Sequence, residues 1–203
     1  MVTVGPSATP RFPRTLQRRL FRTRDAEAAG LPRARLYRLV RAGQVTQLGR
    51  GLFSAGTIDL DGRETLAEAA VAVPNGVVCL LSALAFHGLT TQQPRDVWMA
   101  IAEKAWKPVA SGVPLRIVRF SGPALTEGVE THRIGSAELR VYSPAKTLAD
   151  CFKYRNKIGL DLALEALRDY TRQRKGTLDE LMRYAAICRV ANVMRPYLEA
   201  LVE

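Results

Sequence analysis

Five residues in one short segment carry the strongest chemical signal in the chain: Arg33, Arg35, Tyr37, Arg38 and Arg41. At 100° per residue, Leu36, Leu39 and Val40 gather on one side of a helix and must face a core. Ala34, Tyr37, Arg38 and Arg41 take the opposite side, with Arg33 and Arg35 on the flanks. A row of guanidinium groups on one face suits a polyanion, because each offers a planar set of donors matching a phosphate or the edge of a guanine. Arg33, Arg35, Tyr37 and Arg38 are the candidates for base contact, and Arg41, nearer the end of the helix, for phosphate. Arg50 sits between Gly49 and Gly51, where no bulky neighbour blocks its approach to a phosphate or minor groove. Arg24, Arg14 and Arg11 complete the candidate DNA-binding set.

Those residues lie in the charged part of the chain. Residues 1–60 hold eleven arginines and three acids, a net +8, whereas the remaining 143 of the 203 residues contribute only +3 of the total +11. Excess positive charge confined to less than a third of a chain is the footprint of a polyanion-binding module.

The elements that position the arginines can be read from turn signals. A helix is predicted over Arg14 to Leu20, with Leu16 and Leu20 on one face. A second follows Thr23 as N-cap, with Asp25 and Glu27 in its first turn, and stops at Gly30. Pro32 opens the third, which carries the arginines to Ala42 and ends at Gly43. Two short strands, Gln44 to Leu48 and Leu52 to Ser54, close around Gly49-Arg50-Gly51. Helix, helix, glycine turn, helix and hairpin is the order of a winged helix-turn-helix. The expected organisation is a basic arm over 1–13, a winged helix-turn-helix over 14–57 and an α+β domain over 63–203.

In that second domain, helices are predicted at Arg63 to Val73 and Ser82 to His87. Strands follow at Val97 to Ala102, Leu115 to Phe120, Val129 to Ile134 and Glu138 to Tyr142, the last two joined at Gly135-Ser136. Ser143-Pro144 caps a helix reaching Tyr154. Further helices span Gly159 to Arg174, Thr177 to Cys188 and Ala191 to Val202. Strands before helices give the α+β class.

Two blocks in this second half strengthen the picture. With the segments Thr23-Arg24-Asp25 through Gly30-Leu31, Leu36-Tyr37-Arg38-Leu39-Val40, Gly43 and Arg50-Gly51-Leu52-Phe53, the chain resembles the AbiEi antitoxins of type IV toxin–antitoxin, or abortive phage infection, systems. Leu81-Ser82-Ala83-Leu84-Ala85-Phe86-His87-Gly88-Leu89 and Ser143-Pro144-Ala145-Lys146-Thr147-Leu148-Ala149-Asp150 carry the resemblance onward, more loosely through Arg155, Ile158-Gly159 and Ala163 to Leu167. The resemblance implies a repressor of its own promoter that binds inverted repeats in double-stranded DNA. It also implies an antitoxin that counteracts a nucleotidyltransferase-like toxin, with the second domain needed for that activity. A stand-alone winged-helix regulator without a toxin is the alternative.

The remaining chemistry is sparse. His87, at the end of an apolar helix, is placed to bond last-turn carbonyls, and His132 to pair with Glu130 on a strand surface. Lys146 and Asp150 stand i, i+4, but with lysine first, the weaker order. Lys146 is therefore expected to turn to an interdomain or partner contact, making Lys146, Asp150 and His87 the candidate antitoxin residues. A nuclease would need converging carboxylates on a metal ion; its candidates are Asp96, Glu103 and Glu138. No phosphate-cradling loop or covalent-nucleophile motif is present. Cys79, Cys151 and Cys188 are far apart, without a CxxC pair and with two histidines in the chain, so buried reduced thiols are expected rather than zinc. The expectation is a chain with no enzyme activity, metal or cofactor. No apolar run approaches the ~18–20 residues of a membrane span, and the N-terminus lacks the apolar core of a signal peptide, so a cytoplasmic location is expected. Oligomeric state is left open.

Overall fold

The computed structural model of the chain describes residues 12–17, 20–49, 51–55, 63–106, 108, 113–134 and 137–202. It is a mixture of helices and sheets and divides into two compact units, residues 1–59 and 60–203.

In the first unit a 3₁₀ turn at Arg14–Leu16 precedes strand β1 (Leu20–Arg22), helix α1 (Thr23–Ala28), helix α2 (Arg33–Arg41) and strands β2 (Thr46–Gly49) and β3 (Leu52–Ser54). The three strands form an antiparallel sheet in the order β1-β3-β2. The expected helix from Arg14 to Leu20 is corrected here. Leu16 and Leu20 both reach the core, 5% and 4% exposed, but Leu20 does so by opening β1 opposite Ser54. Pairing with β3 satisfies backbone groups and sets Phe21 opposite Phe53, their rings stacked with centroids 5.9 Å apart. Helix α1 starts at Thr23 itself, and the Asp25 carboxylate accepts from the Arg22 N–H at 2.7 Å. Gly30 takes φ +77°, so that the Leu31 N–H reaches back to the Ala26 carbonyl at 2.8 Å and the Leu31 side chain drops into the core. That turn fixes where α2 begins.

The second unit contains α3 (Arg63–Ala72), β4 (Val77–Val78), α4 (Leu80–His87), β5 (Val97–Ala102), β6 (Leu115–Phe120), α5 (Pro123–Thr126), β7 (Val129–Ile134) and β8 (Ala137–Tyr142). Then come α6 (Pro144–Lys153), α7 (Arg155–Ile158), α8 (Leu160–Arg172), α9 (Leu178–Ile187) and α10 (Ala191–Val202). Its sheet runs β6-β5-β4-β8-β7, parallel at β5/β6 and β4/β8 and antiparallel at the other two junctions. One apolar layer packs α3 on the sheet through Leu66, Ala69, Val73, Met99 and Leu139; the other seats α4, α6, α8 and α9 through Leu84, Leu148, Ala166 and Leu181. On the edge strand β6, Arg116 lies over the Trp98 ring and reaches Asp96 at 3.5 Å, while Arg119 donates to the carbonyls of Ala102, Glu103 and Ala105.

The two sequence blocks that stood out in this half meet at one atom. The Tyr142 carbonyl, at the end of β8, accepts from His87 Nε2 of α4 at 2.7 Å and from Thr147 Oγ1 of α6 at 3.0 Å. Because a carbonyl only accepts, Nε2 carries the ring proton. Ser82 Oγ accepts from the Trp98 N–H at 3.0 Å, tying α4 to β5. Ser143 caps α6, its Oγ accepting from the Lys146 N–H.

Inside α6, Lys146 is sealed from solvent. Its Nζ donates to Asp150 Oδ2 at 2.6 Å and lies 4.1 Å from the Tyr142 ring centroid and 5.0 Å from that of Phe120. Asp150 Oδ1 accepts from the Cys188 thiol of the neighbouring turn after α9 at 3.2 Å. Cys79, Cys151 and Cys188 are all free and buried, and burial holds their thiols well up, Cys188 at about 12.

Two predictions follow from this core. Asp150→Ala leaves an uncompensated ammonium and is expected to cost about 3–5 kcal/mol in urea unfolding, whereas the double change Lys146→Met with Asp150→Leu restores most of that loss. An Asp150→Ala variant as stable as the parent would show that the pair does not act as described. Burial also lowers the His87 pKa from its usual value near 6.5. Folding therefore favours the neutral ring, and this contribution is complete above the unfolded pKa and lost as pH falls towards the folded one. The loss of stability as pH falls below about 6.5 is expected to be shallower in His87→Gln; identical pH profiles would contradict it.

Candidate nucleic-acid interface

Helix α2 holds its cations by dividing its two faces cleanly. Leu36 is fully buried, and Leu39 and Val40 pack beside it against a core of Leu16, Phe21, Ala26, Leu31 and Phe53. With that side fixed, Arg33, Ala34, Arg38 and Arg41 are exposed. Among the described residues no carboxylate lies within salt-bridge distance of Arg33, Arg38 or Arg41. The acids among the described residues of the unit, Asp25 and Glu27, sit on α1, where Asp25 accepts the capping N–H. Three guanidinium groups thus face solvent from one nine-residue helix without a counter-charge among the described residues. Such a surface raises the local positive potential and retains its capacity for bidentate contact.

The other members of the set fall in different places. Arg35 is half-buried on the flank of α2. Arg24 is exposed at the start of α1, 3.7 Å from Asp25, and Arg14 is exposed on the 3₁₀ turn. Arg11 and Arg50, together with the arm before residue 12 and the Gly135-Ser136 turn, lie outside the described residues. Tyr37 departs from its predicted position. It does not share the outer face but is half-buried, its ring edge-on to Phe53 with centroids 5.8 Å apart. At 100° per residue Tyr37 stands at the boundary of the apolar stripe, and the neighbouring Phe53 ring pulls an aromatic side chain inward.

Lys146 and Asp150 are also corrected. The weaker order of an i, i+4 pair matters on a solvated helix surface; here the pair is nearly water-free, so Lys146 has no route to an external contact and closes on Asp150. His87 bonds a carbonyl as expected, though that of Tyr142 across the interface between elements rather than one in its own last turn. His132 and Glu130 form the expected surface pair at 3.1 Å. The nuclease alternative loses its site. Asp96 and Glu103 flank opposite ends of β5, roughly 20 Å of strand apart, and Glu138 lies on β8, two strands away. Among the described residues no three His, Cys, Asp or Glu side chains group as metal ligands.

A small helical unit with a three-stranded sheet and a helix exposing several arginines defines the class: the architecture is compatible with a winged-helix regulator. The sequence comparison agrees. Residues 15–55 match the family described as "Transcriptional regulator, AbiEi antitoxin", the family that the chain resembles. The match spans the α2 helix and the sheet and ends before the second unit. That description is of a regulator and antitoxin, not a catalyst. No curated protein matches the chain. Among the described residues no helix is long and apolar enough to cross a membrane.

The division of α2 into a packed and a free face makes a separable prediction. Tyr37→Ala is expected to destabilise the first unit by about 2–3 kcal/mol through lost packing on Phe53. Arg38→Ala should stay within about 0.5 kcal/mol of the parent, as exposed substitutions do. Denaturant titration of both variants checks it, and a large loss in Arg38→Ala would mean that this side chain is structural.

Proposed function

We propose that the chain is a DNA-binding transcriptional repressor that controls its own promoter and serves as the antitoxin of a type IV toxin–antitoxin system. In this reading the domain over 14–57 is a winged helix-turn-helix: α2 is the recognition helix, the β2–β3 hairpin the wing, and the domain over 63–203 the antitoxin-type module. The observation that carries it is the trio of exposed arginines on α2, without a carboxylate in reach among the described residues, in a stretch matching a regulator family. Arg33, at the N-terminus of the helix, reads base edges in the major groove with half-buried Arg35 and, further along, Arg38, and Arg41 holds phosphate. Arg24 and Arg14 add phosphate contacts, with Arg50 on the wing and Arg11 on the arm beside them. Tyr37 supports the helix from behind rather than reading bases. The promoter site is an inverted repeat, the location cytoplasmic, and the counteracted protein a nucleotidyltransferase-like toxin, all three following the family resemblance. The second unit acts without catalysis or a metal.

The test is a mobility-shift titration on the DNA upstream of the gene against a scrambled duplex, at two salt concentrations. Arg38→Ala is expected to cost about 1–3 kcal/mol on the upstream DNA, roughly a five- to 150-fold loss of affinity, and to shrink the preference over the scrambled duplex. Arg41→Ala should weaken both duplexes alike and reduce the salt slope by about one. Equal, weak binding to both duplexes, unchanged by either substitution, would overturn the repressor reading. Co-expression with the neighbouring open reading frame then tests the antitoxin role: growth arrest relieved by this chain supports it, and arrest left unrelieved, or no arrest, refutes it.

A further inference from the structure

The second unit contains a cavity of about 520 Å³ that none of the contacts above uses. It opens where α3 ends and the sheet begins. Val73, Val77, Ile101 and Leu125 form its walls, and Trp106 stands at its margin with 96% of its surface exposed. An indole this exposed is the largest apolar group that the described residues leave in water, and its place is beside an apolar hollow. That volume lies within the range of sites for small organic ligands, which are mostly apolar and carry a few polar groups that fix orientation.

The polar groups here are of one sign. Arg140, on β8, lines the cavity with Asn75 and Thr126, and none of the described lining residues is acidic. Arg140 has five N–H donors. Its contact among the described residues is one long bond, to the Asn75 carbonyl at 3.4 Å, with no carboxylate in reach. Several other cations of this unit are committed, Arg116 to Asp96, Arg119 to three carbonyls, Lys146 to Asp150 and Lys153 to the Cys188 carbonyl, and none of these lines the cavity. A half-buried guanidinium with donors to spare, at the edge of an apolar hollow, complements a single anion carried on an apolar body.

We propose that this cavity binds a small apolar carboxylic acid, with the carboxylate on Arg140 and the hydrocarbon or aryl body against Val73, Ile101 and Leu125, covered by Trp106. The site lies wholly within the second unit, and its occupation is measured without DNA, so its failure would leave the repressor reading untouched.

The experiment uses the full chain and its two tryptophans. Trp98 is buried, so a change in the exposed component of the emission reports Trp106. Phenylacetate, 3-phenylpropionate and octanoate are titrated in parallel with phenylacetamide and octanamide, by fluorescence and by isothermal titration calorimetry. At least one acid is expected to give a saturable blue shift, with its matched amide bound at least tenfold more weakly. Arg140→Met, at a half-exposed position that keeps the aliphatic stem, is expected to abolish the preference for acid over amide with unfolding unchanged. Trp106→Ala is expected to lose the optical signal and weaken the calorimetric affinity severalfold. No saturable binding of any of the three acids would overturn the proposal, as would equal binding of acid and amide, or a preference that survives Arg140→Met. Saturation only by a capped peptide carrying a carboxylate beside an aromatic residue would overturn it too, in favour of a protein partner.

Discussion

Placing the Lys146 ammonium in the middle of a core obliges the surrounding elements to answer it. Outside water the charge needs an opposite charge, and Asp150 one turn later supplies it; Asp150 in turn needs its second oxygen satisfied, and the Cys188 thiol does so. The lysine's remaining solvation comes from the Tyr142 and Phe120 ring faces. Helix α6 is therefore fixed in rotation about its axis, since few orientations place all three partners together. The carbonyl of the same Tyr142 then ties in α4 through His87, and its hydroxyl donates to the Leu125 carbonyl of α5 at 2.7 Å. One buried cation thereby draws together two strands, three helices and the turn after α9. Gly128 belongs to the same arrangement: a Cβ there would stand 2.7 Å from that of Lys146, in a backbone of φ +71° that side chains avoid.

The first unit meets the opposite demand. The arginines on the outer face of α2 must stay in water, so the unit's small core is built from apolar residues delivered by short elements on every side. Phe21, Phe53 and Tyr37 form a chain of ring contacts across β1, β3 and α2. The helix is seated by aromatic and aliphatic packing, and among the described residues Arg33, Arg38 and Arg41 form no ion pair. The repressor reading requires this separation, because a guanidinium engaged in folding is not available to a phosphate.

Much of this was legible beforehand. Strands β5, β6 and β7 have the bounds predicted from alternating and branched residues, and most helices differ by one or two residues at their ends. Gly30, Gly43 and Gly88 mark helix ends because each adopts a positive φ that other residues resist. Strand β1 was not legible: at three residues, with Leu20 and Phe21 both buried, it has no alternation, and it exists only because β3 offers an edge. The inward turn of Tyr37 depended on Phe53, sixteen positions away, and the closure of Lys146 on Asp150 on burial that helix-surface rules do not consider. Arg38 and Arg41 were legible as an outward cationic face because Leu36 left them no other direction. How that face meets a base pair depends on a docking angle that no periodicity encodes.

The edge strands of the second sheet carry a consequence for how the protein behaves in a crowd. Strand β6 presents an open backbone edge, the kind of surface on which another chain can grow a sheet. Its two arginines lie three residues apart and hence on opposite faces, each held in place, Arg116 by Trp98 and Asp96 and Arg119 by the turn after β5. The far edge, β7, is similarly guarded, with Glu130 and His132 on one face and Thr131 and Arg133 on the other. An incoming strand would have to strip water from fixed charges above and below the pleat at either side. The sheet's edges are thus guarded against extension by fixed charge on both faces, without the sheet being closed into a barrel.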